Sequence, residues 1–334
     1  MRHAAFAALL LTAAGPVAAQ NAISPADKAA GAQANPGLLA QYGGAYRGAQ
    51  AALVERVTKK VAVQSGLSNS ASDFTVTLLD SPEENAFAIP GGYVYVTRQL
   101  LALMNSEAEL AAVMGHEVGH VAARHSAARS SRAGIGKLLA AGIGAVTGSN
   151  LAGTVAGYGT QLYTLKYGRD QEYAADSLGV RHGTAAGYSP YGMATMLSSL
   201  GAETQLQAEL AGRGGPPTWL STHPSDAKRV DRAVALAQAT GRPDPGPKQD
   251  VAYLKALDGM AYDGPIVGAK TQSAESATPK TLRVVTVKST DTLDSLAARM
   301  AYATAQRERF LVLNALDDDA VLTPGTLVKI VVAR

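Results

Sequence analysis

The chain contains no cysteine. That excludes a disulfide framework, thiol catalysis, sulfur-ligated zinc and a lipid-modified N-terminal cysteine, so any metal here must be held by His, Asp or Glu. Aromatic residues are also scarce, at 5%, which argues against an aromatic-lined ligand pocket. Only 17% of the 334 residues are charged, and 30 basic against 27 acidic side chains leave a net charge of +3. Such a balance does not indicate a nucleic-acid-binding surface. With 47% apolar residues, the chain is not mainly disordered and is long enough for one large domain and a small one.

The first residues read as a targeting segment. Arg2 and His3 precede an apolar run from Ala4 to Ala14, followed by Gly15-Pro16 and small residues at Val17 and Ala19. This is the pattern of a secretory signal peptide, 1–19, cut before Gln20, and the run is too short to span a bilayer. Export of a cysteine-free chain points to the bacterial periplasm. A second stretch, 138–165, contains no charge between Lys137 and Lys166. Gly142, Gly144, Gly148, Gly153, Gly157 and Gly159 interrupt it, so it reads as a close-packed helical pair with peripheral membrane contact and not as a span.

Punctuation divides the rest. Ala45 to Ser65 has helical spacing and stops at Gly66. Phe74–Leu79, Asn85–Ile89 and Tyr93–Thr97 read as strands, the last two joined by Pro90-Gly91-Gly92. From 263 to 280 the composition is that of a linker. Leu282–Val287 and Leu327–Val332 are strand-like and flank helical material. The expected organisation is α+β, with a main domain over 20–262, a linker over 263–280 and a small domain over 281–334.

The chemistry lies on the first long helix after the sheet. Ser106 and Glu109 have capping-box spacing, and Leu110, Val113, Met114, Val118 and Val121 mark an apolar stripe. Glu117 falls inside that stripe, where a carboxylate is costly unless it is paired or lies beside a metal. His116 and His120 flank it at i and i+4, so their rings leave one helix face and can converge on one ion. Together they form HExxH, in which two imidazoles bind zinc and the Glu serves as general base.

A third ligand is needed. A metzincin would continue with Gly and His at the positions held by Ala123 and Ser126, so that version fails. The segment Arg169-Asp-Gln-Glu172-Tyr-Ala-Ala-Asp176 supplies a carboxylate instead. Glu172 completes a His, His, Glu set with an open fourth position, the catalytic arrangement. Asp176, one turn further on, is spaced to accept the free ring N–H of a metal-bound His.

These residues carry a family resemblance. His116-Glu117-x-x-His120 and Glu172-x-x-x-Asp176, preceded by Asn85-Ala-Phe-Ala-Ile-Pro-Gly-Gly-Tyr-Val-Tyr-Val-Thr-Arg98, resemble the gluzincins of metallopeptidase family forty-eight. That family includes the BepA-like, HtpX-like and Oma-like proteases. The resemblance runs from Tyr46 to Ala239 and includes Thr222-His223-Pro224-x-x-x-x-Arg229. It implies a mainly helical zincin-type metalloprotease domain with a small β-sheet, and one Zn2+ per chain on His116, His120 and Glu172. Glu117 is then the general base, and Asp176 and Arg229 support the ligands. His223 is implied as a latch in the fourth metal position or as an oxyanion stabiliser; a plain helix-capping role is the alternative. Asn85, Ala86, Phe87 and Ala88 border the cleft as a strand with which an extended substrate could pair. His125 and His182 lack ligand spacing and read as surface or helix-end residues.

The C-terminal segments Val285–Ala297, Leu313–Leu316 and Leu322–Ile330 are similar to a LysM module, a β-α-α-β domain that binds N-acetylglucosamine-containing glycan. Thr290 departs from the usual Gly. The expected function is a zinc metalloendopeptidase of the bacterial envelope acting on misfolded or unassembled proteins, with residues 281–334 contacting peptidoglycan. Two alternatives stay open: a chaperone-like or peptidoglycan-tethered binding protein with a latent zinc site, and a peptidoglycan hydrolase.

Overall fold

A computed structural model describes residues 22–125, 167–211, 219, 223, 227–246, 248–269 and 272–334. The signal-peptide segment 1–19 and the glycine-rich stretch 138–165 lie outside the described residues. Among the described residues, no helix is long and apolar enough to cross a membrane.

Helix α1 (Pro25–Gln41) starts with proline in its first turn, and the Ser24 side chain accepts the Asp27 N–H at 3.1 Å. The sequence reading contains no helix here. Its Ala/Gly/Gln-rich run has little apolar periodicity, and Pro36 lies inside it. Helix α2 (Gln50–Ala62) begins later than Ala45, because Ala45 forms an isolated bridge to Leu79 at the sheet. Strands β1 (Thr75–Leu79), β2 (Ala86–Ile89) and β3 (Tyr93–Thr97) follow. Their order is β1-β3-β2, with β1 parallel and β2 antiparallel to β3. The turn from β2 to β3 requires glycine, since Gly91 and Gly92 have φ of 98° and 85° and sit against backbone oxygens of Asp27 and Asp73.

Strand alternation splits the sheet between two apolar layers. Leu79, Phe87, Ile89 and Tyr95 pack with Leu38 and Tyr42 on the α1 side. Leu78, Ala86, Val94 and Val96 join the main core with Val54, Val57 and Val61 of α2. Helix α3 (Arg98–Leu103) leads directly into α4 (Glu107–Ala122), the helix that carries HExxH. Ser106 caps α4 by accepting the Glu109 N–H at 3.2 Å, while the Glu109 carboxylate reaches back to the Asn105 N–H at 2.7 Å, one residue short of a full capping box.

Helix α5 (Arg169–Ala185) runs antiparallel to α4. Small residues meet along the crossing: Gly183 faces Ala111, Gly179 faces Gly115, and Ala175 and Leu178 face Gly119. A Cβ at Gly179 would lie 2.8 Å from the Ala112 carbonyl oxygen and 3.1 Å from the His116 nitrogen. The two backbones therefore approach closely, and side chains projecting from both helices can meet over a short distance. Helices α6 (Gly192–Ala211) and α7 (Ala227–Ala239) complete the surround.

The C-terminal part contains α8 (Val251–Leu257), β4 (Ala261–Tyr262), α9 (Ala274–Ala277), β5 (Lys280–Thr286), α10 (Leu293–Ala297), α11 (Gln306–Leu313) and β6 (Leu327–Ala333). From β5 onward the order is β-α-α-β, and the antiparallel sheet is β4-β5-β6. Asp263, first residue of the stretch read as a linker, is buried and pairs with Lys280 at 2.9 Å and the Tyr302 hydroxyl at 2.8 Å. This unit also holds the end of α3. Lys329, wholly buried, donates to the carbonyls of Ala102, Leu103 and Met104 at 2.6, 3.2 and 2.8 Å, and Tyr253 donates to that of Leu101 at 3.0 Å. The last carbonyls of a helix need outside donors. Here they come from the C-terminal elements, just before the metal-site helix begins.

Candidate metal centre and active site

Four buried side chains converge where α4 and α5 meet beside Trp219: His116, His120, Glu172 and His223. His116 Nε2 lies 3.0 Å from His120 Nε2 and 3.2 Å from His223 Nδ1. Glu172 Oε1 lies 3.1 Å from His223 Nδ1 and 3.4 Å from His120 Nε2. A tetrahedral zinc with bonds of about 2.0–2.1 Å separates its ligand atoms by about 3.3 Å. The donor spacing fits that ion, and the three imidazoles and one carboxylate are its ordinary ligand types. With nitrogen lone pairs turned toward one another in a buried site, a cation between them is the natural partner.

His116, Glu172 and His223 are held from behind. Asp176 Oδ1 accepts from His116 Nδ1 at 2.9 Å, which leaves the Nε2 lone pair facing the centre. Arg229, wholly buried, grips Asp176 through Nε and NH2 at 2.8 and 2.7 Å, pairs with Glu172 Oε2 at 3.0 Å and donates to the His223 carbonyl at 3.3 Å. Burial alone would raise the Glu172 carboxyl, but His120, His223 and His116 outweigh it and hold the group far below the usual range. Asp176 is likewise held low, its burial outweighed by Arg229 and His116. Burial drives His120 well below the ordinary imidazole value. At His116, Asp176 and Glu172 overcome burial and raise it.

Glu117 is 2% exposed and lies beside the donors, 3.7 Å from His223 Nε2. Burial pushes its carboxyl up, against the pull of His223, His116 and the Trp219 N–H. A carboxylate with a raised pKa is a better proton acceptor near neutrality.

Trp219, the one tryptophan of the chain, was not singled out in the sequence. Its Nε1 donates to Glu117 Oε1 at 2.8 Å, and its ring stacks on His223 with centroids 4.8 Å apart. Its backbone N–H donates to the Glu84 carbonyl at 2.8 Å, and its own carbonyl accepts from the His223 N–H at 2.8 Å. Tyr167 stacks on His120 with centroids 3.7 Å apart and was missed as well. A lone aromatic four residues before the loop histidine was the available signal for Trp219.

The histidines read as surface or helix-end residues are both buried. His182 is 2% exposed in the last turn of α5, and burial pushes it down to about 4. His125 is 8% exposed, and its Nδ1 lies 2.8 Å from His120 Nδ1. Of the four residues expected to border a substrate, Asn85 and Phe87 turn their side chains inward. Asn85 donates its side-chain amide to the Tyr42 hydroxyl, and Phe87 packs on Tyr42 and Tyr95. The Asn85 carbonyl accepts from Thr97 of β3. Backbone directions alternate, so the main-chain groups of Ala86 and Ala88 face away from β3, toward the edge of β2 that pairs with no other strand among the described residues, beside the Glu84 carbonyl taken by Trp219.

The profile of Peptidase family M48 matches residues 48–237, more than half of the chain. The chain belongs to that family. It is similar to the mitochondrial metalloendopeptidase OMA1 of Schizosaccharomyces pombe, 32% identical over 180 residues, which are 53% of this chain and 50% of the relative. It is also similar to the β-barrel assembly-enhancing protease of Escherichia coli K12, 32% identical over 168 residues, 47% of this chain and 33% of the relative. A putative β-barrel assembly-enhancing protease of Vibrio cholerae is 34% identical over 173 residues, with the same shares covered. The chain thus spans a third to a half of the length of these relatives. As a member of the M48 family, it has a His, His, Glu set suited to zinc, with Glu117 beside it.

Proposed function

We propose that this M48 protein is a latent zinc endopeptidase of the bacterial envelope that cleaves unfolded or unassembled polypeptides. The observation that carries the reading is the convergence of His116, His120, Glu172 and His223 beside a buried Glu117. Four protein donors make a closed site, whereas catalysis needs an open position. His223 is the donor that can leave, because it lies outside the two packed helices that carry the other three. In this reading it is the latch.

His116, His120 and Glu172 would hold zinc, which when bound would polarise a peptide carbonyl as a Lewis acid and acidify water. Glu117 takes the proton from the attacking water and returns it to the leaving amine, with Trp219 steadying one carboxylate oxygen. Asp176 and Arg229 keep His116 and Glu172 in place. The free edge of β2 offers Ala86 and Ala88 main-chain groups to an extended segment, which suits unfolded chains with little sequence demand. Displacement of the Trp219 N–H from Glu84 would lengthen that edge and would accompany release of His223.

The envelope assignment rests on the signal-type N-terminus and on relatives named for β-barrel assembly. Residues 281–334, with their β-α-α-β order, are proposed to contact peptidoglycan, and 138–165 to touch the membrane surface. The test offers the zinc-loaded full chain three substrates in parallel: reduced unfolded protein, the same protein folded, and purified peptidoglycan. The expected result is cleavage of the unfolded protein only, faster in His223→Ala. Digestion of peptidoglycan with the protein left intact would support the hydrolase reading. Unchanged or lower proteolysis in a folded His223→Ala would remove the latch.

A further inference from the structure

His120 has a partner behind it that the HExxH pattern does not include. Helix α4 ends at Ala122, and Arg124 adopts φ 52°, the left-handed region that a non-glycine residue enters at a cost of about 1–2 kcal/mol. In an unbroken helix a residue five positions on is rotated by about 140°, so the side chains of 120 and 125 would point apart. The Arg124 turn folds the chain back instead and brings the His125 ring edge-on to His120, with Nδ1 atoms 2.8 Å apart and ring planes at 71°. Gln171 fixes this return by donating to the His125 carbonyl at 3.2 Å. Gln171 lies on α5 next to Glu172, so one helix secures both the third ligand and the residue behind the second.

We propose that His125 is the positioning residue of the second zinc ligand. It accepts the His120 Nδ1–H on its own Nδ1, which directs the His120 Nε2 lone pair to the ion, as Asp176 does for His116. The proposal rests on the reading that His116, His120 and Glu172 hold zinc. The strained backbone at Arg124 acquires a purpose, since without it the two rings cannot meet.

The test measures zinc affinity of the full chain by competition with a chromophoric chelator, together with the visible absorption of the cobalt-substituted protein. His125→Ala should lose affinity by about 10- to 100-fold and shift the cobalt bands. His125→Asn, whose side-chain oxygen can stand near the Nδ1 position, should restore most of both. Wild-type affinity and spectrum in His125→Ala would overturn the proposal, as would a loss in His125→Asn equal to that in folded His125→Ala. If the alanine chain does not fold, the asparagine variant decides alone: near-wild-type bands support the role and displaced bands overturn it. Absence of zinc binding by the wild type would instead overturn the metallopeptidase reading on which the proposal rests.

Discussion

Gly179→Ala places one methyl group where α4 and α5 are closest. The new Cβ would stand 2.8 Å from the Ala112 oxygen and 2.6 Å from the Met193 methyl. Met193 can yield, being the end of a flexible side chain. The Ala112 carbonyl belongs to the α4 backbone and cannot, so the helices must part by about 0.6 Å to regain ordinary contact. Alanine gains about 1 kcal/mol over glycine in helix propensity, and overpacking costs about 1–3 kcal/mol, so the net destabilisation is about 0–2 kcal/mol. The metal site should report the change more strongly. Glu172 lies two turns before Gly179 on the same face of α5 and would move with it away from His116 and His120, which belong to α4. The expected loss of zinc affinity is about 10-fold, measured by chelator competition. Gly201→Ala serves as the control, since nothing lies within 4 Å of a Cβ there. It should stabilise the protein by up to about 1 kcal/mol and leave zinc affinity unchanged. If Gly179→Ala behaves like Gly201→Ala in both respects, the close crossing is not what sets Glu172.

Three further outcomes follow from the same contacts. Asp176→Asn keeps the shape but weakens the Arg229 grip and the His116 contact, and zinc affinity should fall by about 10- to 100-fold in the same competition assay. Lys329→Met strips the α3 carbonyls of their donor, and urea unfolding should show a loss of about 2–4 kcal/mol. His182 bonds to the Gly115 backbone, and its Nδ1 has no partner among the described residues, so burial keeps the ring neutral and lowers it from 6.5 to about 4. A lowered folded-state value means that the unfolded chain binds the proton first. Stability is therefore lost as pH falls from about 6.5 to 4, by about 3 kcal/mol. In metal-free protein, His182→Gln should remove that part of the pH dependence of the urea midpoint.

The metal site was legible because its ligands follow local rules. HExxH places two imidazoles on one helix face, and with the metzincin continuation absent, Glu172 is the next glutamate along the chain. The strands β1 to β3 were legible for the same reason, through alternation and a glycine turn. What escaped depends on returns of the chain. His125 sits five residues after His120, a spacing with no meaning on a helix until Arg124 turns the backbone. Trp219 reaches Glu117 from a residue 102 positions away. Helix α1 carries too few apolar residues to show a period, and its place follows from the tyrosines and Phe87 beneath it. Lys329 lies in a strand-like segment whose pattern does not show its burial, and only the docking of β6 against the end of α3 explains it.

A casein-cleavage time course of the zinc-loaded chain from Gln20 onward, wild type beside Glu117→Gln, with the metal content of both measured, tests the central claim most directly. The account predicts one zinc per chain in each, the same fold, and cleavage by the wild type alone. Cleavage at equal rates would contradict the assignment of Glu117 as the base, and loss of zinc together with activity would make Glu117 a support of the site.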